Sequence, residues 1–218
     1  WYGGMARGIS ANGEIIYGTS WENWDFGMLY WVNNGANTEK PKWVGEDVRE
    51  VWEETMKMSD GTEYTTHLVN GLICQAQLTK ISPNGKWIAS SYRTETPAED
   101  RLSIVTTQTA AFYNTETETT TIVSDYGESV GVHVTDDGIG FIGIGTLGIS
   151  SGAVYDLNTG TDLGSTQDWV YDNYGIIIPA GYINYVSADG RFVLGTKAES
   201  SAGGVNFINW YIAPPVAK

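Results

Sequence analysis

The stretch ISPNGKWIAS, residues 81–90, contains an aliphatic residue, a serine, an Asn-Gly pair and a short apolar run. Asn-Gly tolerates the positive φ angles that hairpin turns demand, and apolar runs beside such a pair are typical of paired strands. Three other stretches keep the same order: ISANGEIIYG at 9–18, VTDDGIGFIG at 134–143 and VSADGRFVLG at 186–195. Their turn glycines are 72, 53 and 52 residues apart. The sequence therefore repeats one strand–turn–strand unit four times.

Each unit is also predicted to contain a third strand, because residues downstream of the turn recur at constant offsets. The residues 14 and 17 positions after the turn glycine are Gly27, Gly152 and Gly204, and Tyr30, Tyr155 and Phe207. In the second unit the same element, 111–113, is displaced by 11 residues. Polar turns within 114–123 and 156–165 indicate a fourth strand in the second and third units.

Four short antiparallel strands repeated about every 52 residues are the pattern of one propeller blade per repeat. A lone sheet cannot bury both faces, whereas sheets stacked around a ring can. We predict an all-β fold, a β-propeller of four-stranded antiparallel blades, with four blades at about 1–46, 72–124, 125–170 and 171–218 in a single domain. The last unit shows no obvious fourth strand, so either a strand from elsewhere closes the ring or the blades belong to a larger propeller.

Residues 47–71 form an insertion that admits two interpretations. Val48, Trp52 and Met56 fall on one helical face, which predicts a helix over 47–58. The competing interpretation is a hairpin that turns at Asp60-Gly61, since an alternating pattern also fits the segment. The helix is the preferred prediction.

The repeats resemble the blade repeat of secreted bacterial propellers, which include the WD40-like TolB-type repeat and extracellular repeats written around G-x-S-x-D-G. The stretch AVYDLNTG at 153–160 is similar to the third strand and turn of such blades. The resemblance covers nearly the whole chain except about 36–72. It implies a Bacteroidetes-like protein that is secreted, periplasmic or anchored at the outer surface. It implies little about function, because such propellers are scaffolds, lectins and enzymes alike.

Charge and composition exclude some partners. Lys and Arg number 12 against 26 Asp and Glu, a formal net charge of −14, which repels phosphates and argues against nucleic acid. No window approaches the roughly 18 to 20 uninterrupted apolar residues of a membrane span, so no transmembrane segment is predicted. Cys74, the single cysteine, cannot form an internal disulfide and is interpreted as a buried apolar residue. The chain begins at Trp1 without a signal-like segment, which favours a processed or trimmed product.

Catalytic and metal-binding patterns are weak. His67 and His133 are the only histidines, which leaves little material for a triad or a multi-histidine site. The oxygen spacing at 156–162 imitates a calcium loop, but an Asn-Thr-Gly hairpin accounts for the same residues. We predict no metal and no cofactor. The sequence does not decide whether the protein is an enzyme, although a non-enzymatic role is favoured.

Loop aromatics are the candidate ligand-binding residues. Trp21 and Trp24 fall in the predicted loop between the second and third strands of the first unit. Trp169, Tyr171 and Tyr174 fall in the predicted connection entering the fourth unit. Acidic and amide residues flank both groups, so the rings could stack on sugars while the polar groups bind hydroxyls. The alternative is that these rings pack between blades.

His133 lies on a predicted inner strand, where it is either a ligand of the central channel or a buried wall residue. The predicted function is non-catalytic binding of a glycan or a protein through loops on one face of the ring. The alternative is a propeller hydrolase or lyase that acts on polysaccharide with carboxylates at the channel mouth. A third interpretation is a purely structural module. Unpaired strand edges favour an edge-mediated dimer or pairing with additional blades of a longer chain.

Overall fold

The computed structural model describes residues 4–22, 25–33, 40–74, 78–145, 150–201 and 204–213. Four antiparallel sheets follow one another along this part of the chain. Sheet 1 contains β1 (Gly4–Ile9), β2 (Ile15–Glu22), β3 (Asp25–Val32) and β4 (Lys42–Trp43). Sheet 2 contains β5 (Glu50–Lys57), β6 (Glu63–Ile73), β7 (Lys80–Ile81), β8 (Trp87–Pro97), β9 (Ile104–Asn114) and β10 (Thr119–Val123).

The second half of the chain adds two sheets and a helix. Sheet 3 contains β11 (Ser129–Val134), β12 (Ile139–Ile144), β13 (Ser151–Asp156) and β14 (Thr161–Ser165). Helix α1 (Thr166–Tyr174) leads into sheet 4, which contains β15 (Tyr182–Val186), β16 (Val193–Ser201) and β17 (Gly204–Ile212). Two single 3-10 turns lie at Glu46–Val48 and Ser124–Tyr126. Sheet 4 has three strands within the described residues.

The four repeated turns share one hydrogen-bond scheme, which explains the sequence signature. In the fourth turn the Ser187 hydroxyl donates to Asp189 Oδ1 at 2.6 Å and accepts the Phe192 N–H at 2.9 Å. The Ser82 hydroxyl makes the same two bonds in the second turn, to Asn84 and from Trp87. The turn glycine adopts a positive φ in all four units, between 66° and 84°, which a side chain would oppose. The hydroxyl, the amide or carboxyl, and the glycine are therefore requirements of the turn itself.

The insertion is a hairpin, and the predicted helix over 47–58 is wrong. Strands β5 and β6 pair antiparallel along their length, and the chain reverses at Gly61, where φ is +86°. Met56 is fully buried and Trp52 half-buried, whereas Val51 and Thr55 are exposed. Burial therefore alternates with the two-residue period of a strand. Strand β6 then pairs with β8 on the edge that β7 also uses, so the hairpin widens sheet 2.

Every unit has the predicted third strand. The residues at constant offsets from the turn glycine, however, are not structurally equivalent between units, so this part of the prediction is wrong. The supposed equivalents pair with second-strand residues at different distances from the turn: Tyr30 with Tyr17, Tyr155 with Gly140, and Phe207 with Ala198. The cause is hairpin length, because the second and third strands extend further in sheets 1 and 4 than in sheet 3. The recurrence of glycine and aromatic residues at fixed offsets is therefore coincidental.

In the part of the chain that the structure describes, the buried apolar side chains form three clusters, each shared by two sheets that are consecutive along the chain. Between sheets 1 and 2, the rings of Tyr30 and Tyr113 lie 5.8 Å apart. Phe112 and Ile142 belong to the cluster between sheets 2 and 3, and Val193 to the one between sheets 3 and 4. Antiparallel sheets stacked face to face in chain order are the architecture of propeller blades. The predicted all-β, propeller-like fold is confirmed.

Candidate functional site

A cavity of about 420 Å³ lies where the repeated turns of sheets 2, 3 and 4 approach one another. We call it the turn-end cavity. The β11–β12 turn, the β15–β16 turn and helix α1 contribute most of its lining. Its aromatic and polar lining includes Asp136, Asp137, Trp169, Asn173, Tyr174 and Asp189. Two of the predicted ligand-binding residues, Trp169 and Tyr174, are therefore brought together here.

Helix α1 positions these two rings, whereas the sequence had predicted an irregular connection. Ser165 caps the helix: its hydroxyl accepts the Asp168 N–H at 3.1 Å and donates to the Asp168 carboxylate at 2.6 Å. Gly175 ends it in the left-handed region at φ 68°, with its N–H bonded to the Tyr171 carbonyl. A Ser-x-x-Asp start followed by a closing glycine is a recognisable helix signal. That signal could have revealed the helix from the sequence.

The aromatic side chains of the cavity are held by packing and by one hydrogen bond. Trp169 meets Phe141 edge to face at 5.1 Å and the Tyr174 ring at 5.8 Å. The Tyr174 hydroxyl donates to the Gly190 carbonyl at 2.6 Å. Burial raises the pKa of Tyr174, and the nearby Asp189 charge adds to that rise, so the phenol stays protonated. Trp169 therefore contributes both to the cluster between sheets 3 and 4 and to the cavity wall.

The three carboxylates of the cavity each support a turn. Asp136 accepts the Asn84 N–H at 2.8 Å and so links the turns of sheets 2 and 3. Asp137 accepts the Thr135 hydroxyl. Hydrogen bonds from the Ser187 hydroxyl and the Arg191 N–H lower the pKa of Asp189. Among the described residues only one oxygen of each carboxylate accepts a side-chain or turn hydrogen bond, which leaves the other oxygen for a ligand.

His133 lies between sheets 3 and 4 and does not line the cavity. Its side chain is buried, and Nε2 accepts the Val186 N–H at 3.0 Å. Phe141 and Tyr185 flank the ring at 5.7 and 5.4 Å. Burial lowers the pKa of His133 to about 4, so the imidazole is neutral near neutral pH. These contacts favour the structural interpretation of this residue over the channel ligand.

The remaining predicted site residues lie elsewhere. Tyr171 is on α1 but points away from the lining, with 57% of its surface exposed. Trp21 belongs to strand β2 rather than to a loop and pairs with Phe26. This hairpin end lies at the opposite end of sheet 1 from the Gly13 turn, because successive strands are antiparallel. Trp24 lies outside the described residues.

A second cavity, of about 330 Å³, lies between sheet 1 and the β5–β6 hairpin. Arg93 pairs there with Glu95, whose carboxylate also accepts the Val69 N–H at 3.0 Å. The Arg49 guanidinium lies 4.2 Å from the centroid of the Trp43 ring. Because both cations bind protein groups, this cavity is the weaker candidate. The sequence did not predict it, because the preferred helix over 47–58 excluded the hairpin whose second strand, β6, lines the cavity.

The 156–162 segment is a hairpin turn. Asp156 Oδ1 accepts the N–H groups of Asn158 and Thr159 at 2.9 and 3.3 Å, and the Asn158 amide donates to the Asp137 carbonyl. Its oxygens therefore organise the turn. Within the ranges that the structure describes, no three His, Cys, Asp or Glu side chains are grouped as a metal site would need.

The fold and the cavity together define a propeller-type β protein with an aromatic and acidic site at the turn end of its blades. No protein-family model matches the chain, and no curated protein does. Among solved structures it is similar to TolB from Acinetobacter baumannii, with a TM-score of 0.50 and 11% sequence identity. The match covers 97% of this chain and 41% of that chain, so the present chain spans less than half of that length. At this identity the likeness concerns the fold alone.

No helix in the described part of the chain has the length and apolar character needed to cross a bilayer.

Proposed function

We propose that the protein is a non-catalytic carbohydrate-binding propeller, and that the turn-end cavity holds the sugar. The observation that carries the proposal is the convergence of two aromatic rings, Trp169 and Tyr174, with acidic and amide groups in one cavity. An aromatic ring covers the apolar face of a sugar, while carboxylate and amide oxygens accept its hydroxyl hydrogens. The open oxygens of Asp136 and Asp189 and the Asn173 amide supply such polar contacts.

The charge of the cavity favours a neutral glycan. Three carboxylates line it, and its described lining contains no Lys or Arg. The net charge of −14 adds to the negative potential around the cavity. A glycan that carries sulfate or uronic acid would be repelled, whereas uncharged hydroxyls gain from the carboxylate acceptors.

The enzyme alternative has less support. Glycoside hydrolysis needs a carboxylic acid with a raised pKa beside an ionised partner. The pKa of Asp189 is instead lowered by its turn hydrogen bonds, which keeps that group ionised. His133 is buried and bonded to backbone, so it does not supply a proton to the cavity.

The location of the protein is part of the same proposal. The repeats resemble those of secreted bacterial propellers. This resemblance supports a secreted, periplasmic or outer-surface protein, where glycans are abundant partners.

Binding of the labelled protein to an array of neutral and anionic glycans, followed by calorimetry with the best neutral ligand, tests the proposal. We expect Trp169→Ala to weaken binding about tenfold or more, the equivalent of roughly 1.4 kcal/mol. Asn173→Ala, which changes an exposed residue of the same lining, should weaken it while leaving the core intact. Tyr171→Ala is the matched control, because Tyr171 shares the helix but not the cavity.

If Tyr171→Ala weakened glycan binding as much as Trp169→Ala, the binding site would lie on the outer surface of α1. That result would contradict the assignment to the cavity. A folded wild-type protein that binds no neutral glycan on the array would overturn the proposed function.

A further inference from the structure

Sheets 1, 2 and 3 each have one face that packs on the next sheet of the chain, and the same positions can be identified in sheet 4. In each turn the backbone N–H of the Ser or Thr donates to the carbonyl of one residue at the start of the second strand. This hydrogen bond identifies the equivalent residue in every unit. These residues are Ile15, Trp87, Ile139 and Phe192. The residue two positions further and its third-strand partner share that face of the sheet. The pairs are Tyr17 with Tyr30, Ala89 with Phe112, Phe141 with Val154, and Leu194 with Tyr211.

Three positions in each sheet form one surface: the residue bonded to the turn N–H, the residue two positions further and the third-strand partner of the latter. We call this surface the leading face. In sheets 1, 2 and 3 the leading-face residues belong to the cluster shared with the following sheet. Tyr30 and Phe112 are buried almost completely, as is Phe141. The leading face therefore packs on the following sheet three times within the chain.

The leading face of sheet 4 is uncovered. Tyr211 is 70% exposed and Phe192 36% exposed, although their equivalents in the other sheets are packed. The two rings stack on one another with centroids 6.2 Å apart and planes 20° apart, and Tyr185 extends the patch at 6.5 Å from Phe192. An exposed aromatic patch of this kind is the usual mark of an interaction surface.

The opposite face of sheet 1 is uncovered as well. The aliphatic residue just before the turn Ser or Thr lies on the face directed at the preceding sheet, which we call the trailing face. Ile81, Val134 and Val186 pack in this way against sheets 1, 2 and 3. Their equivalent in sheet 1, Ile9, is 54% exposed. Within the described residues, the stack of sheets therefore ends in two unmatched apolar faces of complementary kind.

We infer that the leading face of sheet 4 binds the trailing face of sheet 1 in a second copy of this chain. The contact repeats the interface that the chain already forms three times internally, so it needs no new type of surface. In two copies related by a twofold axis, the leading face of sheet 4 in each copy covers the trailing face of sheet 1 in the other. All four faces are then buried and the ring closes. That ring contains eight sheets, within the range of about four to eight blades that propellers adopt.

This dimer does not depend on glycan binding, since the turn-end cavity is formed by sheets 2, 3 and 4 of one copy. Sedimentation equilibrium measures it directly. We expect the wild-type chain to have twice its mass of 23.8 kDa over a concentration series. Tyr211→Lys and Ile9→Glu, which both change exposed residues and spare the core, should each give monomers.

A mixture of the two variants provides the decisive measurement. In the mixed pair one contact is wild type on both sides. The other contact places the introduced lysine of one copy against the introduced glutamate of its partner, so dimers should return. Tyr64→Lys is the control, because Tyr64 is exposed on the hairpin outside both faces, and it should remain dimeric.

Three results would overturn the inference: a wild-type monomer at all concentrations, a dimer in Ile9→Glu with a monomer in Tyr211→Lys, or no recovery in the mixture. The second result would show that two copies of sheet 4 face each other. The first would leave the face of sheet 4 for a further sheet of a longer protein.

Discussion

At the scale of single residues, His133 couples the packing of sheets 3 and 4 to pH. Its Nε2 accepts the Val186 N–H at 3.0 Å, a bond that requires an unprotonated nitrogen. Burial is the main reason that the pKa of His133 is lowered to about 4, and the Lys80 charge acts in the same direction. In the unfolded chain the imidazole has its ordinary pKa of about 6.5.

These values predict the direction of a pH effect on stability. Between about pH 6.5 and pH 4 the unfolded state binds a proton that the folded state does not, so stability falls as the pH falls through this window. The loss is on the order of 3 kcal/mol at most. We expect His133→Gln, whose amide oxygen also accepts the Val186 N–H, to lose most of this dependence in urea unfolding at several pH values. An unchanged slope would show that His133 titrates normally.

The residue scale also shows what the sequence could reveal. Ser82, Asn84 and Gly85 were recognised because a turn imposes its requirements on neighbouring residues. The Tyr174 bond to Gly190 joins residues that are 16 positions apart, with strand β15 between them. Nothing in the local pattern specifies that bond, so the cavity around it could not be predicted.

At the scale of elements, helix α1 depends on its cap. The helix has nine residues, too few to be stable alone, so the Ser165 bonds and the burial of Val170 hold it in place. We expect Ser165→Ala to cost about 1 kcal/mol. The cost should appear as faster hydrogen exchange in 166–174 and weaker sugar binding at the cavity.

Thr161→Ala is a control for that substitution, since Thr161 is exposed on the preceding strand. Unchanged exchange in Ser165→Ala would mean that packing against sheet 3 is sufficient without the cap.

The insertion and α1 were both misassigned from the sequence, for opposite reasons. In 47–58 several apolar residues fit a helical face, but pairing with β6 imposes the period of a strand. In α1 the apolar pattern is weak, and the signal lies in Ser165 and Gly175 at its ends. Long-range pairing decides the first case and local capping the second. Apolar periodicity alone could resolve neither.

At the scale of the whole molecule, the order of the sheets was predictable and their register was not. The turns recur in the sequence because each unit needs one, so the repeat and the propeller-like stack follow from them. The pairing of Phe207 with Ala198 depends on how far a hairpin extends beyond its turn. The extension lies at the opposite end of the hairpin from the repeated turn, so the turn signature does not encode it.

Net charge is a property of the whole molecule that predicts a salt effect. Asp and Glu outnumber Lys and Arg by 26 to 12, an excess of 14 negative charges, so net repulsion between acidic groups opposes the folded state. Ion pairs such as Lys42–Glu118 are exposed and contribute little. Raising NaCl from 0.01 to 0.15 M shortens the Debye length from about 30 to about 8 Å and screens that repulsion.

We therefore expect the urea midpoint of unfolding at neutral pH to rise with NaCl over this range. The control is the same series near pH 4.3, where the amino-acid composition places the isoelectric point, so the net charge is small and the dependence should largely disappear. A midpoint that falls with salt at neutral pH would mean that the ion pairs outweigh the repulsion. In that case the acidic residues would stabilise the stacked sheets through their ion pairs.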